Sequence, residues 1–391
     1  MAGRPMQVLT VLCRGGWMPG HLSEGWRRLG AEVHEFLYGT HMGRDWSAGG
    51  GAERARIQSG LLALARRLKA EDRLDLVFAV IYDDMLDEDT ARALRALDVP
   101  MVNYHVDLEG QWYRVLRTGR HFDRLACAQE VHWAALRRAG IRPWLMPMAA
   151  NPPREPEGTV DELAHDGVLY LGSPWLYRRV VLAELAAAGV PLRVRGHGWQ
   201  STPASAPAAA GGAKLRHDLR HYLWPRLREE GAGELAAVLR ERRAARTVLR
   251  SRQISLAPGV LGGPYAQESF ASLVRGAAVN LGFTHFSGEP GTRRERRQMR
   301  LRDFEIPMHG GFYLAQRAPE LAAHFREGEH VAAWDRVDDL IDQARHYLAR
   351  PAERARMAAQ AALHARAFHT WDVRFRGLLA ELGVTIPGAR A

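Results

Sequence analysis

Cysteine is nearly absent. Cys13 and Cys127 are the only two in 391 residues, and each closes a predicted buried strand, so both read as core thiols and not as a disulfide, a zinc site or a nucleophile. Long apolar runs are missing as well: the longest, Leu74 to Tyr82, is interrupted by Asp75 and falls far short of the ~18 residues a membrane span needs. The N-terminus lacks the basic-then-apolar pattern of a secretory signal, so the sequence predicts a cytoplasmic protein. Apolar residues at 47% and charged residues at 25% exclude wholesale disorder and collagen-like repeats. A chain of 391 residues exceeds the ~250 at which single cores stop growing, which predicts two α/β domains.

The net charge of +10 is unevenly spread: Gln200 to Gln253 carries +6 and Arg293 to Arg302 carries +5, leaving the rest near −1. Basicity confined to two segments raises the question of a polyanionic partner.

Strand-then-helix rhythm fills the first third, with apolar runs at Gln7 to Cys13, Ala31 to Leu37, Leu74 to Ile81, Met101 to His105 and Leu125 to Ala128. Alternation of this kind predicts a parallel, doubly wound sheet. Four prolines between Pro147 and Pro156 then break regular structure. The expected layout is a first domain over 1–150, a linker over 151–165, a second domain over 166–360 and a C-terminal helix over 361–391 that crosses back to the first. Low complexity from Gln200 to Ala213, followed by two Arg-rich helices that part near Gly231 to Gly233, marks residues 200–253 as an insertion in the second domain.

Ligands of doubly wound sheets collect at the carboxyl ends of strands. The densest group of polar residues runs from Gln298 to Phe312. Arg302 and Glu305 share a helix face there, and Gly310-Gly311 permit a tight turn. An Arg can pair with a diphosphate and a carboxylate can accept both hydroxyls of a ribose. The spacing alone fits equally an exposed Arg/Glu ion pair followed by a helix C-cap.

Met148-Ala149-Ala150-Asn151-Pro152, Leu169 to Ser173 with Arg178-Arg179, Gly196-His197-Gly198-Trp199, Arg302-x-Phe-Glu305-x-Pro-x-x-Gly-Gly311 and His369-Thr370-Trp371 with Arg374 follow one another in this order. The series resembles the CgeB-like (spore-maturation-protein-like) glycosyltransferases, relatives of the group 1 enzymes. That resemblance implies an α/β GT-B fold, two Rossmann-like doubly wound domains facing a central cleft. It also implies a nucleotide-sugar donor in the second domain, as substrate, with no separate cofactor. By the same implication Glu305 holds the ribose, Arg302 and the His309-Gly310-Gly311 turn lie near the diphosphate, and Gly172, Ser173, Arg178 and His197 belong to the donor side. Related enzymes often carry a Glu eight residues before the ribose-binding one; here that position is Arg297.

Arginines and a helix N-terminus can stabilise a departing diphosphate without a metal. His217 and His221 have a two-ligand spacing but no third ligand in reach of the pattern, so no metal site is expected. A base for the acceptor hydroxyl is expected from the first domain. Asp107, after the strand ending at His105, is the first candidate, with a helix-cap role as its alternative. Asp83 and Asp84 come next, and Gly15, Gly16 and His21 are expected to shape the acceptor side. The expected function is transfer of a sugar to a hydroxyl of a small molecule or glycan. Two alternatives stand beside it: a hydroxymethyl-base DNA acceptor gripped by Arg242, Arg243, Arg246, Arg293, Arg294, Arg296 and Arg297, and a non-catalytic nucleotide-sugar or polyanion binding protein.

Overall fold

The computed structural model describes residues 4–39, 46–153, 165–199, 219, 223–251, 256–288 and 290–385. The low-complexity stretch and the His217/His221 pair lie outside them. Contacts divide the chain into two units: Met1–Met148 with Ala209–Leu235 and Trp371–Ala391, and Ala149–Ala208 with Ala236–Thr370.

In the first unit six strands, β1 (Gln7–Cys13), β2 (Glu32–Tyr38), β3 (Leu76–Ala79), β4 (Met101–His105), β5 (Arg124–Cys127) and β6 (Pro143–Leu145), form one sheet in the order β2-β1-β3-β4-β5-β6. Every neighbouring pair is parallel. All seven residues of β1 are buried, as its unbroken apolar run demands of a central strand, whereas β2 at the edge is mostly half-exposed. Connections reverse direction between β1 and β3, which makes that point the sheet's crevice.

The second unit repeats the plan. Its strands are β7 (His165–Leu171), β8 (Leu192–Arg195) and β9 (Ala277–Leu281), then the hairpin β10 (His285–Ser287) with β11 (Arg296–Arg297), then β12 (Tyr313–Gln316) and β13 (Ala332–Trp334). The five-stranded parallel sheet runs β13-β12-β9-β7-β8, so its reversal falls between β7 and β9. Val168, Val279, Leu314 and Trp334 are buried in its core.

Several expectations change. The stretch after β4 is a short turn of helix, Leu108–Gln111, continued as a 3-10 turn, Trp112–Val115. The C-terminal helix is two, Pro351–Phe368 and Trp371–Leu382. The second belongs to the first unit: a Cβ on Gly25 would lie 2.5 Å from that of Trp371, and Phe375 stacks on Trp26 at 4.1 Å. The insertion expected inside the second domain is divided between the two units. Its helical stretch Trp224–Ser251 breaks at Gly231, where φ is 83°. Before the break, Glu230 accepts a hydrogen bond from the Trp112 indole at 2.9 Å, and Arg226 lies over the Tyr113 ring at 5.6 Å.

Candidate active site

The second unit's crevice opens where β7 ends in Gly172-Ser173. Gly172 donates to the Arg195 carbonyl at 3.0 Å, and its own carbonyl accepts from the Trp199 indole at 2.7 Å. Gly196, at φ 147°, could carry no Cβ, because one would sit 2.3 Å from the Gly172 oxygen. The loops after β7 and β8 are thereby held against each other.

Three guanidinium groups gather at this edge. Arg178 donates to the Ser173 hydroxyl at 3.0 Å. The helix Leu301–Met308 starts here, with Arg300 at its N-cap and Arg302 in its first turn. Burial pushes the Tyr170 phenol up, and Arg178, Arg300 and Arg302 pull it back, so all three charges act on the end of β7. Arg302 pairs with Glu305, donates to the Tyr265 hydroxyl at 2.6 Å and lies 4.3 Å over the Phe270 ring. Glu305 is 1% exposed beneath it while Arg302 keeps 32%.

Two contributors escaped the sequence reading. Trp175, 44% exposed, stands between the guanidinium groups of Arg178 at 5.0 Å and Arg300 at 5.1 Å. An aromatic residue two positions beyond Ser173 and an Arg at the start of the Glu305 helix were the available signals.

His309, Gly310 and Gly311 follow the helix Leu301–Met308 and lead into β12, and the His309 ring meets edge-on, at 5.4 Å, the same Phe270 ring that Arg302 covers. Gly311 has a packing reason: a Cβ would come 2.3 Å from Val274 and 2.7 Å from the Asn280 amide. His197 is exposed in the loop after β8. Asp303, between Arg302 and Glu305, accepts from the Arg300 backbone and the Tyr313 hydroxyl. Burial pushes its carboxyl up to about 6.

At the first unit's crevice the expected acids are spent on structure. Asp83 accepts from the Thr118 hydroxyl at 2.7 Å and from the Thr118 and Arg117 amides at 2.9 Å; burial nevertheless raises it to about 6. Asp84 is gripped by Arg114 at 2.9 and 3.0 Å, with only 3% and 4% of the two side chains exposed. His105 is fully buried against the Gln111 carbonyl at 3.1 Å and is pushed down to about 3, which keeps it neutral. These three brace the loops. Asp107 differs: it is half-buried at the N-cap of Leu108–Gln111 and makes no side-chain cap bond, so the alternative role does not hold in that form. His21 is buried edge-on against Trp17, beside the half-buried Gly15 and exposed Gly16.

Among the basic residues, Arg243, Arg293, Arg294 and Arg296 are exposed, while the side chains of Arg242 and Arg246 lie outside the described residues. Arg297 is removed from any polyanion surface by its bonds to Glu295 at 2.7 Å and Asp335 at 2.6 Å. Among the described residues no helix is long and apolar enough to cross a membrane.

Two doubly wound units in one chain define the GT-B class, and the solved structures agree. In fold the chain is similar to sucrose-phosphate synthase from Thermosynechococcus elongatus (14% identity, 96% of this chain and 98% of that one, TM-score 0.55). It is likewise similar to a glycosyltransferase from Rickettsia africae (9%, 97% and 98%, TM-score 0.56) and to Anabaena HepE in complex with UDP and glucose (11%, 96% and 99%, TM-score 0.53). No curated protein matches it significantly. The model of the glycosyl transferase-like family matches residues 178–380, just over half of the chain, and the protein belongs to that family. It is a glycosyltransferase of the GT-B fold.

Proposed function

We propose that the chain is a CgeB-like, cytoplasmic member of its family that moves a sugar from a nucleoside-diphosphate sugar on the second unit to a hydroxyl of a small molecule or glycan on the first. The observation that carries the donor assignment is the gathering of Arg178 and Arg300 about Trp175, just beyond β7, with Arg302 in the first turn of the helix that Arg300 caps, at the carboxyl edge of a parallel sheet. HepE is solved with UDP and glucose, which makes uridine diphosphate the first nucleotide to test.

Arg302 has two partners to choose between. In the structure it covers Glu305; an arriving diphosphate, with two charged oxygens in fork geometry, competes for the same guanidinium. Turning Arg302 toward the diphosphate uncovers Glu305 for the ribose hydroxyls. As the glycosidic bond breaks, the charge growing on the leaving diphosphate meets three guanidinium groups already in place, so this step needs no metal. Asp107 orients the acceptor hydroxyl and takes its proton. Asp107→Asn keeps the shape and removes the basicity; donor binding by calorimetry should be unchanged while transfer falls ~100-fold or more. Near-normal turnover would remove Asp107 from the reaction.

A nucleic-acid acceptor remains the second reading, favoured by the exposed Arg293 and Arg294 on the β10–β11 connection and Arg296 at the start of β11. Gel-shift titration at two salt concentrations decides it, because each phosphate neutralised on duplex DNA should add about −0.9 to the salt slope. No shift at low salt eliminates this reading.

A further inference from the structure

A cavity of about 500 Å³ lies in the second unit where β12 and β13 end, on residues that no step above uses. Arg317 follows β12 directly, Asp335 follows β13, and Arg297 closes β11. That volume is within the ~300–1,000 Å³ of small-molecule sites. Pro319, Leu321 and Phe325 form an apolar part of the wall, and the rest is charged.

The charges have an unusual arrangement. Arg297 and Arg317 both converge on the carboxylate of Asp335, which is 43% exposed. Each guanidinium also has a carboxylate of its own: Glu295 at 2.7 Å from Arg297, and Glu327 at 2.6 Å from Arg317. If Asp335 turned out to solvent, neither arginine would lose its last partner. Arg297 and Arg317 each donate one N–H to a different oxygen of the same carboxylate, and charge-assisted bonds from two guanidinium groups to both oxygens are the recognition chemistry of a ligand carboxylate.

We propose that Asp335 holds the place of a ligand carboxylate, and that this cavity takes a uronate-type sugar, a polyhydroxylated ring bearing one carboxylate. Exchange of one monoanion for another leaves the local charge unchanged. A phosphate, at about −1.5 to −2, would bring extra charge against Glu295 and Glu327, which selects carboxylate over phosphate. The ring lies on Phe325 and Pro319, and its hydroxyls donate to Glu295 and Glu327. The inference stands on the cavity alone and holds whether or not the donor assignment does.

Calorimetry on the full chain with D-glucuronate, D-glucose, acetate and glucose 6-phosphate tests it. Glucuronate is expected to bind best of the four. Asp335→Ala removes the built-in competitor and should tighten glucuronate about tenfold, since a site blocked most of the time binds weaker by the fraction that is open. Arg317→Ala, at a side chain 41% exposed and thus tolerant of truncation, should cancel that gain. Glucose binding as well as glucuronate in the Asp335→Ala protein overturns the carboxylate assignment, acetate binding as well overturns the sugar, and glucose 6-phosphate gaining more than glucuronate overturns the choice of anion. No binding by any probe to wild type or Asp335→Ala removes the site altogether.

Discussion

The two units wind their strands in the same order, with one reversal each, between β1 and β3 and between β7 and β9, yet the two crevices differ in chemistry. In the first, charge is buried and closed on itself: Asp84 grips Arg114, Asp83 holds the Arg117 and Thr118 amides, and His105 is neutral. In the second, three arginines surround the strand end, and Arg302 remains one-third exposed. Topology decides where a ligand can enter; a handful of loop residues decides whether the entrance is braced or offers charge. An internal ion pair on a crevice is a structural feature, while a half-exposed one can be exchanged for a ligand.

Substitutions in the two crevices should therefore fail in different ways. The largest effect is expected from Asp84→Ala, which leaves Arg114 buried without its carboxylate and should cost about 3–5 kcal/mol of stability. Urea unfolding reads this directly, and a loss under 1 kcal/mol would break the contrast drawn here. Arg302→Ala acts on the reaction: loss of a preorganised charge on the leaving group should lower kcat by ~10²–10³, with a smaller loss in donor affinity. Equal losses in both would reduce Arg302 to a binding contact. Next in size, Glu305→Gln preserves the shape under Arg302 and should weaken donor binding by roughly 1.5–3 kcal/mol; unchanged affinity by calorimetry rules out its ribose role.

The smallest effect sharpens the comparison through pH. The folded Asp83 carboxyl is raised from 3.8 to about 6, so the folded chain binds that proton more tightly than the unfolded one. Its contribution to stability is full below about 4 and is lost as pH rises to about 6. Asp83→Asn should flatten that part of the stability curve. An unaltered slope between these values would mean that Asp83 titrates normally. Asp303, raised to about 6 in the second unit, should leave its own share of the slope in place.

Much of the framework was legible. Apolar runs placed β1, β2, β3, β4 and β5. The missed strands share a cause. β6 and β13 have three residues each and the β10–β11 hairpin pairs its strands over two positions; at that length there is no period to read, and pairing with neighbours already in place creates the strand. Pro143 opens β6 at the sheet's edge, where a missing amide costs little. Arg297 looked like part of a free basic run because all its neutralising partners but Glu295 are distant in sequence, above all Asp335.

The sequence by itself determined the alternation of strand and helix in a doubly wound α/β fold and put Arg302 and Glu305 on one helix face, because strand and helix periods and an i, i+3 spacing are local properties of the chain. Tertiary structure alone decided which polar groups are spent on bracing and which face a ligand. Asp83, Asp84 and Asp107 look alike as loop acids after strands. Only the fold brings Thr118 and Arg114 to the first two and leaves Asp107 half-buried at the crevice. Those partners lie 35 and 30 residues away along the chain, and no linear pattern records which side chains the fold brings together.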